Sequence, residues 1–311
     1  MRPFVPIVSN PHALTILGNF WPRALDFSPF PSTLSLYQTE PDVQVLVETQ
    51  TPPQPKAEIV LVHGLEGASD AGYMRTLAHR ALASGFTTHR FHMRTCGGTE
   101  HLCTTLYHGG LTSDLLAYLK LLNSSLPVFL TGFSLGGNVA LKLAGELGHS
   151  GPQLLAGVSA VSAPIDLAMA ARRISAPENF LYQRRFVTRM QARLTATGRY
   201  TAAALRPLRT LYDIDDKITA PSFGFGTADR YYATQSSNQF LPHIRIPTLL
   251  IAAQDDPLIP FRMYRDATPE SNPMIRAIYP KHGGHLGFIA RGKPRFWADE
   301  TIVEWAQSLI P

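Results

Sequence analysis

Apolar and polar positions follow two different patterns in the first part of the chain. Residues 33–38 and 43–48 alternate apolar and polar side chains, as half-buried strands do. We predict that these two strands pair antiparallel at one edge of a sheet. Residues 58–63 are instead an almost continuous apolar run, which is typical of a strand buried on both faces.

Strand and helix patterns then alternate along the chain. Further strands are predicted at residues 86–92, 128–131, 155–161, 248–253 and 274–279. Helices are predicted near residues 72–84, 112–123, 137–147 and 296–309. The second of these helices begins with Thr112, a good capping residue. The alternation favours an α/β fold with a mostly parallel sheet of about eight strands and helices on both faces.

The alternation stops between residues 164 and 240, where several helices are predicted in aromatic-rich sequence. With 311 residues, the chain is longer than one ordinary α/β domain. We therefore predict one large core, formed by residues 33–163 and 241–311, with the segment 164–240 inserted into it. Residues 1–32 are rich in proline and aromatic side chains and are predicted to form an N-terminal arm packed on the core.

The charge distribution argues against a nucleic-acid partner. The net charge is +5, and the basic residues are spread along the chain rather than gathered in one stripe. The densest basic stretch, from Arg172 to Arg193, also carries apolar residues at helical spacing. That combination predicts a solvated helix face.

The cysteine and histidine content indicates the cellular compartment and whether a metal or cofactor is expected. Two cysteines, Cys96 and Cys103, are too few for a disulfide framework and predict reduced thiols in a cytoplasmic protein. No run of 18 apolar residues is present, and the N-terminus lacks the apolar region of a signal peptide, so no membrane span is expected. The histidines lack zinc-ligand spacing and no nucleotide-binding glycine motif occurs, so neither a metal nor a cofactor is expected.

Ser134 is the candidate nucleophile. It lies in the sequence Gly-Phe-Ser-Leu-Gly, which follows an apolar strand and precedes a helical segment. Small residues on both sides let the chain turn sharply, so that the hydroxyl projects at the carboxyl end of the strand beside a helix N-terminus. The alternative is an ordinary exposed serine in a glycine-rich turn.

Candidate acid and base residues follow in the second half of the chain. Asp255 and Asp256 come directly after the strand at 248–253, where a carboxylate can accept an imidazole N–H and hold its tautomer. We predict Asp256 as the acid and Asp255 as a loop-stabilising neighbour; an Asx turn that closes the strand is the alternative. His285 is the candidate general base, because glycines around it permit a tight loop that approaches Ser134. His282 is the alternative base.

Two backbone amides are candidate oxyanion donors. The turn His63-Gly64-Leu65 follows a buried strand, and the N–H of Leu65 is the first candidate. The N–H of Leu135, directly after the candidate nucleophile, is the second. The alternative for the His63 turn is a simple end to the strand. Asn138 and the loop Arg94–Thr99 are assigned support roles.

Jointly, these motifs resemble the α/β-hydrolase superfamily and, more narrowly, its YheT-like branch. The resemblance extends along nearly the whole chain. It is carried by residues 10–12, 63–67, 93–98, 107–108 with Asp114, 132–138, 215–221, 231–232, 255–257 and 283–288. The chain order Ser134, Asp256, His285 is also the family's order of nucleophile, acid and base.

The resemblance implies an α/β-hydrolase fold, a Ser-Asp-His triad at those three positions, and a helical cap that corresponds to residues 164–240. Asp256 also has the family's spacing to Pro260. The chain departs from the family pattern at Leu14, where the arm often has Gln, and at Thr95, where Gly is common.

These residues predict a serine carboxylic-ester hydrolase that acts on small-molecule esters with short- to medium-chain acyl groups. The acyl-chain length is inferred from aromatic residues of the inserted segment that either line a pocket or form its core: Phe180, Tyr182, Phe186, Tyr200, Phe223, Phe225, Tyr231, Tyr232 and Phe240. Acyl transfer or thioester hydrolysis by the same triad is an alternative, as is a catalytically silent binding protein on the same fold. The oligomeric state is left open.

Overall fold

Eight strands form one sheet in the computed structural model, which describes residues 2–310. In chain order, β1 to β8 are Ser32–Glu40, Val43–Gln50, Ala57–Val62, Phe86–Phe91, Val128–Phe133, Gly157–Val161, Thr248–Ile251 and Ile275–Ile278. Their order across the sheet is β1-β2-β4-β3-β5-β6-β7-β8. The pairs β1–β2 and β2–β4 are antiparallel, and every other neighbouring pair is parallel. The predicted mostly parallel sheet, with an antiparallel pair at its edge, is confirmed.

Helices cover both faces of the sheet. In chain order, α1 to α12 are Pro11–Phe20, Gly72–Leu82, Ser113–Leu122, Leu135–Leu147, Leu167–Ile174, Phe180–Ala196, Ala202–Leu205, Leu211–Ile214, Ala220–Ser222, Ala228–Gln235, Arg262–Ala267 and Trp297–Gln307. One apolar core holds side chains of α3, α4 and α11, and the other holds side chains of α2 and α12. Among residues 2–310, no helix has both the length and the apolar character that crossing a bilayer requires.

Strand β3 shows why the strands at the centre of the sheet are mostly apolar. Its side chains point alternately to the two faces of the sheet, and both faces are covered by helices. Val60 and Val62 belong to the core on one face, whereas Ile59 and Leu61 belong to the core on the other. All four residues are fully buried.

Between β6 and β7 the chain leaves the sheet and forms helices α5 to α10. Helices α8 and α9 are joined without a break by a π-helical turn, Asp215–Thr219. Val187, Met190 and Ile214 from this insertion lie in the same apolar core as the side chains of α4. The insertion and the sheet therefore share one packed core.

Helix α1 lies in the N-terminal arm and was not predicted. Its start has a clear local cause, since the Asn10 side chain accepts a hydrogen bond from the Ala13 N–H at 2.9 Å and Pro11 occupies the first helical position. Leu14 is fully buried on the inner side of the helix. The Asn-Pro pair was the available signal, but the apolar spacing around it shows no clear helical period.

One predicted capping residue has a different role. Thr112 precedes helix α3, but its side chain makes no capping hydrogen bond. Its hydroxyl donates instead to Glu146 Oε2 at 2.6 Å, because the backbone of Thr112 is already helical and directs the side chain away from the helix end.

Candidate active site

The candidate residues lie at one edge of the sheet because the strands before them run in parallel. Ser134 follows β5, Asp256 follows β7 and His285 lies in the loop after β8. The turn with Leu65 follows β3, which neighbours β5 in the sheet. Carboxyl ends of parallel strands meet at the same edge, so residues far apart in sequence converge there.

The turn at Ser134 requires its glycines. A Cβ atom on Gly132 would lie 2.2 Å from the carbonyl oxygen of Gly136, and a Cβ on Gly136 would lie 2.4 Å from that of His63. Both contacts are with backbone atoms, which cannot rotate away. Ser134 itself has φ 50° and ψ −120°, a conformation that few non-glycine residues adopt.

Ser134, His285 and Asp256 form one hydrogen-bonded chain. His285 Nε2 lies 3.0 Å from Ser134 Oγ, and His285 Nδ1 lies 2.9 Å from Asp256 Oδ2. The Asp256 side chain is only 2% exposed and that of His285 10% exposed. This arrangement allows the imidazole to accept the serine proton while the carboxylate holds its Nδ1–H.

The two neighbouring aspartates have separate partners. Asp256 Oδ1 accepts hydrogen bonds from the backbone N–H groups of Leu258 and Ile259, at 2.8 and 3.0 Å. Asp255 pairs with His282 at 3.0 Å and accepts the Gly284 N–H at 3.0 Å. His282 therefore pairs with Asp255 rather than with Ser134, and Asp255 stabilises the loop that carries His285.

Two backbone N–H groups beside Ser134 have no acceptor in the described part of the chain. Around the turn after β3, the N–H groups of Gly64, Glu66 and Gly67 are all hydrogen-bonded. The intervening N–H of Leu65 has no acceptor within residues 2–310, and neither has that of Leu135 at the start of α4. Leu65, Leu135 and Ser134 line the same cavity. The pair of amides is thus available to an oxyanion formed at Ser134.

His63 and Tyr73 hold the Leu65 turn in place, and neither was predicted to do so. His63 Nδ1 lies 2.7 Å from the Gly64 carbonyl oxygen, and its Nε2 accepts the Met93 N–H at 3.1 Å. Burial lowers the pKa of His63 to about 3, so the ring is neutral with its proton on Nδ1. The Tyr73 hydroxyl oxygen accepts the Gly64 N–H at 3.0 Å. The sequence offered no signal for Tyr73, which lies within helix α2.

Glu66 and Arg193 join the same turn to helix α6. Arg193 Nε donates to both carboxylate oxygens of Glu66, at 2.9 and 3.0 Å, and both side chains are buried. The Tyr107 hydroxyl donates to Glu66 Oε1, and Arg193 also donates to Thr95 Oγ1 at 2.9 Å. The prediction of a solvated helix face is wrong for Arg193, because tertiary packing supplies a buried carboxylate partner from another element.

The N-terminal arm contacts the loop of the candidate base. The Thr15 hydroxyl oxygen of helix α1 accepts the backbone N–H of His285 at 2.8 Å. A Cβ on Gly287 would lie 2.2 Å from the Leu14 carbonyl oxygen, so the loop and the helix are in direct backbone contact. The arm therefore contributes to the position of His285.

Two residues assigned support roles anchor neighbouring loops. Asn138 is fully buried and donates to the carbonyl oxygens of Gly109 and Gln235 at 2.7 and 2.9 Å. Arg94 donates to Asp114 through Nε and Nη2, at 2.5 and 2.8 Å. Both hold loops that surround the site rather than contacting Ser134.

Two cavities meet at Ser134 and His285. The first has about 750 Å³ of unfilled space, part of it open to solvent. Its lining is mostly apolar and includes Leu135, Leu167, Ile174, Met190, Leu211 and Ile259. The second, which we call the outer cavity, has about 1020 Å³ of unfilled space and lies between helices α1 and α6. Its lining includes the polar residues Asp70, Arg185 and Arg189.

Four of the nine aromatic residues considered for a pocket line one of the two cavities. Phe186, Tyr231 and Tyr232 line the first cavity, and Tyr182 and Phe186 line the outer one. Phe223 and Phe225 pack instead around His108, at ring-centroid distances of 4.5 and 5.3 Å. Aliphatic side chains therefore outnumber aromatic ones in the lining of the first cavity.

Comparison with known proteins places the chain in a family. The profile of the family described as "alpha/beta hydrolase fold" matches residues 58–291. The chain belongs to the α/β-hydrolase family.

Within that family, the chain is similar to proteins of the YheT-like branch. It is 31% identical to "Putative esterase YheT" of Escherichia coli strain K12, over 99% of this chain and 94% of that protein. It is 28% identical to a monoacylglycerol lipase of Saccharomyces cerevisiae, over 79% of this chain and 58% of that protein. The solved structure of the Pyrococcus furiosus esterase Pf2001 covers 100% of both chains with a TM-score of 0.61 and 16% identity, which shows the shared fold.

Proposed function

We propose that this protein is a serine carboxylic-ester hydrolase that acts on short- to medium-chain acyl esters. The observation that carries the proposal is the hydrogen-bonded chain from Ser134 through His285 to Asp256, with two unpaired backbone amides beside the serine. The esterase and lipase names of its relatives support the same reaction class.

In the first step, Ser134 Oγ attacks the ester carbonyl carbon while His285 Nε2 takes the hydroxyl proton. Asp256 stabilises the imidazolium ion that forms and holds its orientation. The N–H groups of Leu65 and Leu135 donate to the oxyanion, and in comparable sites one such donor is worth about 3–4 kcal/mol of barrier lowering.

The second half of the reaction uses the same groups in reverse. His285 gives its proton to the departing alcohol oxygen as the tetrahedral intermediate collapses to an acyl-enzyme on Ser134. Water then attacks the acyl-enzyme carbonyl while His285 accepts a proton from it, and Ser134 Oγ leaves with that proton.

The two cavities suggest where the parts of the substrate lie. The first cavity, whose lining is mostly apolar, suits the hydrocarbon chain of the acyl group, and we call it the acyl cavity. The outer cavity, which holds charged side chains, suits the alcohol part. We propose that residues 164–240 act as a cap over this site, that residues 33–163 and 241–311 form the catalytic core, and that residues 1–32 are a supporting arm.

A cytoplasmic location is part of the same proposal. It is supported by the two cysteines, Cys96 and Cys103, which are both free and buried. Such thiols are usual in a reducing compartment.

The test is turnover of p-nitrophenyl butyrate by the wild-type protein and by Ser134→Ala. We expect the variant to lose activity by a factor of about 10³ or more, because no other group can form the acyl-enzyme. A fluorophosphonate probe should label the wild type and not the variant. Equal turnover by the two proteins would contradict the proposal.

A second measurement separates hydrolysis from acyl transfer. Product analysis with glycerol or a short alcohol present should give mainly free carboxylic acid. Predominant transfer of the acyl group to the alcohol would contradict hydrolysis while leaving the role of Ser134 intact.

A further inference from the structure

A carboxylate that takes no part in the proposed ester hydrolysis lies in the wall of the acyl cavity. Asp215 lines this cavity together with Leu211, Thr219 and Tyr232. It begins the π-helical turn between α8 and α9. Such turns are rare inside α-helices and occur frequently at functional sites.

Asp215 has no cationic partner among the residues that the structure describes. Within residues 2–310, no Lys, Arg or His nitrogen lies within 4.0 Å of its carboxylate, since the nearby Arg193 is paired with Glu66. The Tyr232 hydroxyl donates to Oδ2 at 2.7 Å. Burial outweighs hydrogen bonding from Tyr232 and Thr219 and raises the pKa of Asp215 to about 6, which leaves the group largely ionised at neutral pH. An ionised group in an apolar wall is costly unless it gains a further hydrogen bond.

A hydroxyl donor lies close to this acceptor. Tyr231 lines the same cavity, and its oxygen accepts the Gly109 N–H at 2.7 Å. Its own proton has no acceptor within the described part of the chain. Burial, and after it the charge of Asp215, raises the pKa of Tyr231, so the hydroxyl keeps its proton.

An acceptor and a donor in the wall of one cavity are complementary to a hydroxyl group, which both donates and accepts hydrogen bonds. A plain alkyl chain would cover Asp215 without giving it a partner, and a carboxylate on the chain would be repelled. An ammonium group would pair with Asp215 but would leave the Tyr231 proton unaccepted.

We propose that Asp215 and Tyr231 form a polar subsite of the acyl cavity that binds a hydroxyl group carried on the acyl chain of the substrate. The inference rests on the proposed function, because it assumes that the acyl group of the ester occupies this cavity. It narrows the substrate class to esters of hydroxy acids.

The test compares matched p-nitrophenyl esters of six, eight and ten carbons. Each length is measured with a terminal hydroxyl, with a terminal methoxy group that cannot donate, and as the plain alkyl chain. For at least one length, we expect kcat/KM to be about 10-fold or more higher for the hydroxy ester than for the other two, since sites that hydrogen-bond a substrate hydroxyl reject analogues without it.

Two variants then test whether the preference for the hydroxy ester depends on Asp215. In Asp215→Leu, the ratio of kcat/KM for the hydroxy ester to kcat/KM for the alkyl ester should fall to about one or below. Asp229→Asn is the matched control: this exposed aspartate of the same insertion lies outside the cavity lining, and the preference should be unchanged. Labelling of Ser134 by a fluorophosphonate shows that each variant is folded.

Binding provides a readout that does not depend on hydrolysis. Methyl 8-hydroxyoctanoate should bind Ser134→Ala at least about five-fold more tightly than methyl octanoate, as measured by calorimetry. A wild-type preference of one or below at all three lengths, or a preference that persists in Asp215→Leu, would overturn the subsite. Failure of every ester to be hydrolysed, with the binding preference intact, would count against the proposed function alone.

Discussion

At the scale of single residues, the backbone of Ser134 carries a strain that the surrounding atoms maintain. Its positive φ costs on the order of 1–3 kcal/mol for a residue with a side chain. The conformation is held by the Ser134 N–H, which donates to the Val161 carbonyl oxygen at 2.8 Å, and by the close contacts at Gly132 and Gly136. The result is a hydroxyl that faces His285 at hydrogen-bonding distance.

Asp256→Asn tests the orientation of the imidazole. Because Oδ1 of Asp256 accepts two backbone N–H groups, the carbonyl oxygen of the new amide would take that position and its NH₂ would face His285 Nδ1. The imidazole would then carry its proton on Nε2 and could not accept one from Ser134. We expect kcat to fall by a factor of about 10³–10⁴, measured with p-nitrophenyl butyrate.

Asp255→Asn is the control for that substitution. Asp255 pairs with His282 and the Gly284 N–H, so its loss should change loop stability more than proton transfer. A fall in kcat of less than about ten-fold is expected. Equal losses in the two variants would show that Asp256 has no special relation to the imidazole.

At the scale of elements, a buried ion pair joins the turn after β3 to helix α6. Glu66 has a positive φ of 55° and lies next to Leu65, whose N–H faces the site. Arg193 holds Glu66 from the other side and stacks over the Tyr107 ring at 4.8 Å. The insertion therefore helps to set the geometry of the proposed oxyanion donor.

Arg193→Met should destabilise the protein, because it leaves the Glu66 carboxylate buried without its cationic partner. We expect the free energy of unfolding to fall by about 3 kcal/mol, and kcat to fall more than the affinity for substrate. The double variant with Glu66→Gln should recover part of the stability, since the unpaired charge is then removed. Denaturant unfolding and steady-state kinetics measure the two effects.

Arg184→Met on the same helix is the matched control. Arg184 is exposed and has no ion pair within residues 2–310, so its loss should change stability by less than about 0.5 kcal/mol. If Arg193→Met were equally mild, the ion pair would have no part in holding the turn.

At the scale of the whole molecule, buried histidines and buried aspartates have opposite effects on how stability changes with pH. Burial lowers the pKa of His63 and of His108 to about 3. The stability that these two histidines contribute is therefore lost as pH falls below about 6.5 toward 3. Burial raises the pKa of Asp215 to about 6 and that of Asp299 to about 7. The stability that these two aspartates contribute is present below about 4 and is lost as pH rises through those values.

His108→Asn isolates one of these contributions. The asparagine can still accept the Gly110 N–H that His108 Nδ1 accepts, but it does not titrate. The variant should be less stable than the wild type at pH 7.5, because it loses contacts with Phe223 and Phe225. That deficit should shrink by about 2–3 kcal/mol at pH 4.5, where only the wild type must hold an imidazole neutral. Denaturant unfolding at the two pH values measures it, and a constant deficit would contradict the assignment.

The sequence by itself determined the local features of this protein. Period-two alternation, continuous apolar runs and glycine-bounded turns are short-range properties, so they predicted the eight strands, the parallel sheet and the turns that carry Ser134, Asp256 and His285. Helix α1 had a short-range signal as well, in Asn10 and Pro11, but no apolar period supported it.

Only the tertiary structure decided which distant side chains meet. Arg193 lies 127 positions from Glu66, and Thr15 lies 270 positions from His285, so neither pairing leaves a mark in a local pattern. The same holds for the acyl cavity, whose wall includes both Asp215 and Tyr231. The charge pattern around Arg193 indicated a solvated face, and packing against the turn after β3 made it a buried cation. Burial and pairing depend on how elements pack against one another, which the order of residues within each element does not specify.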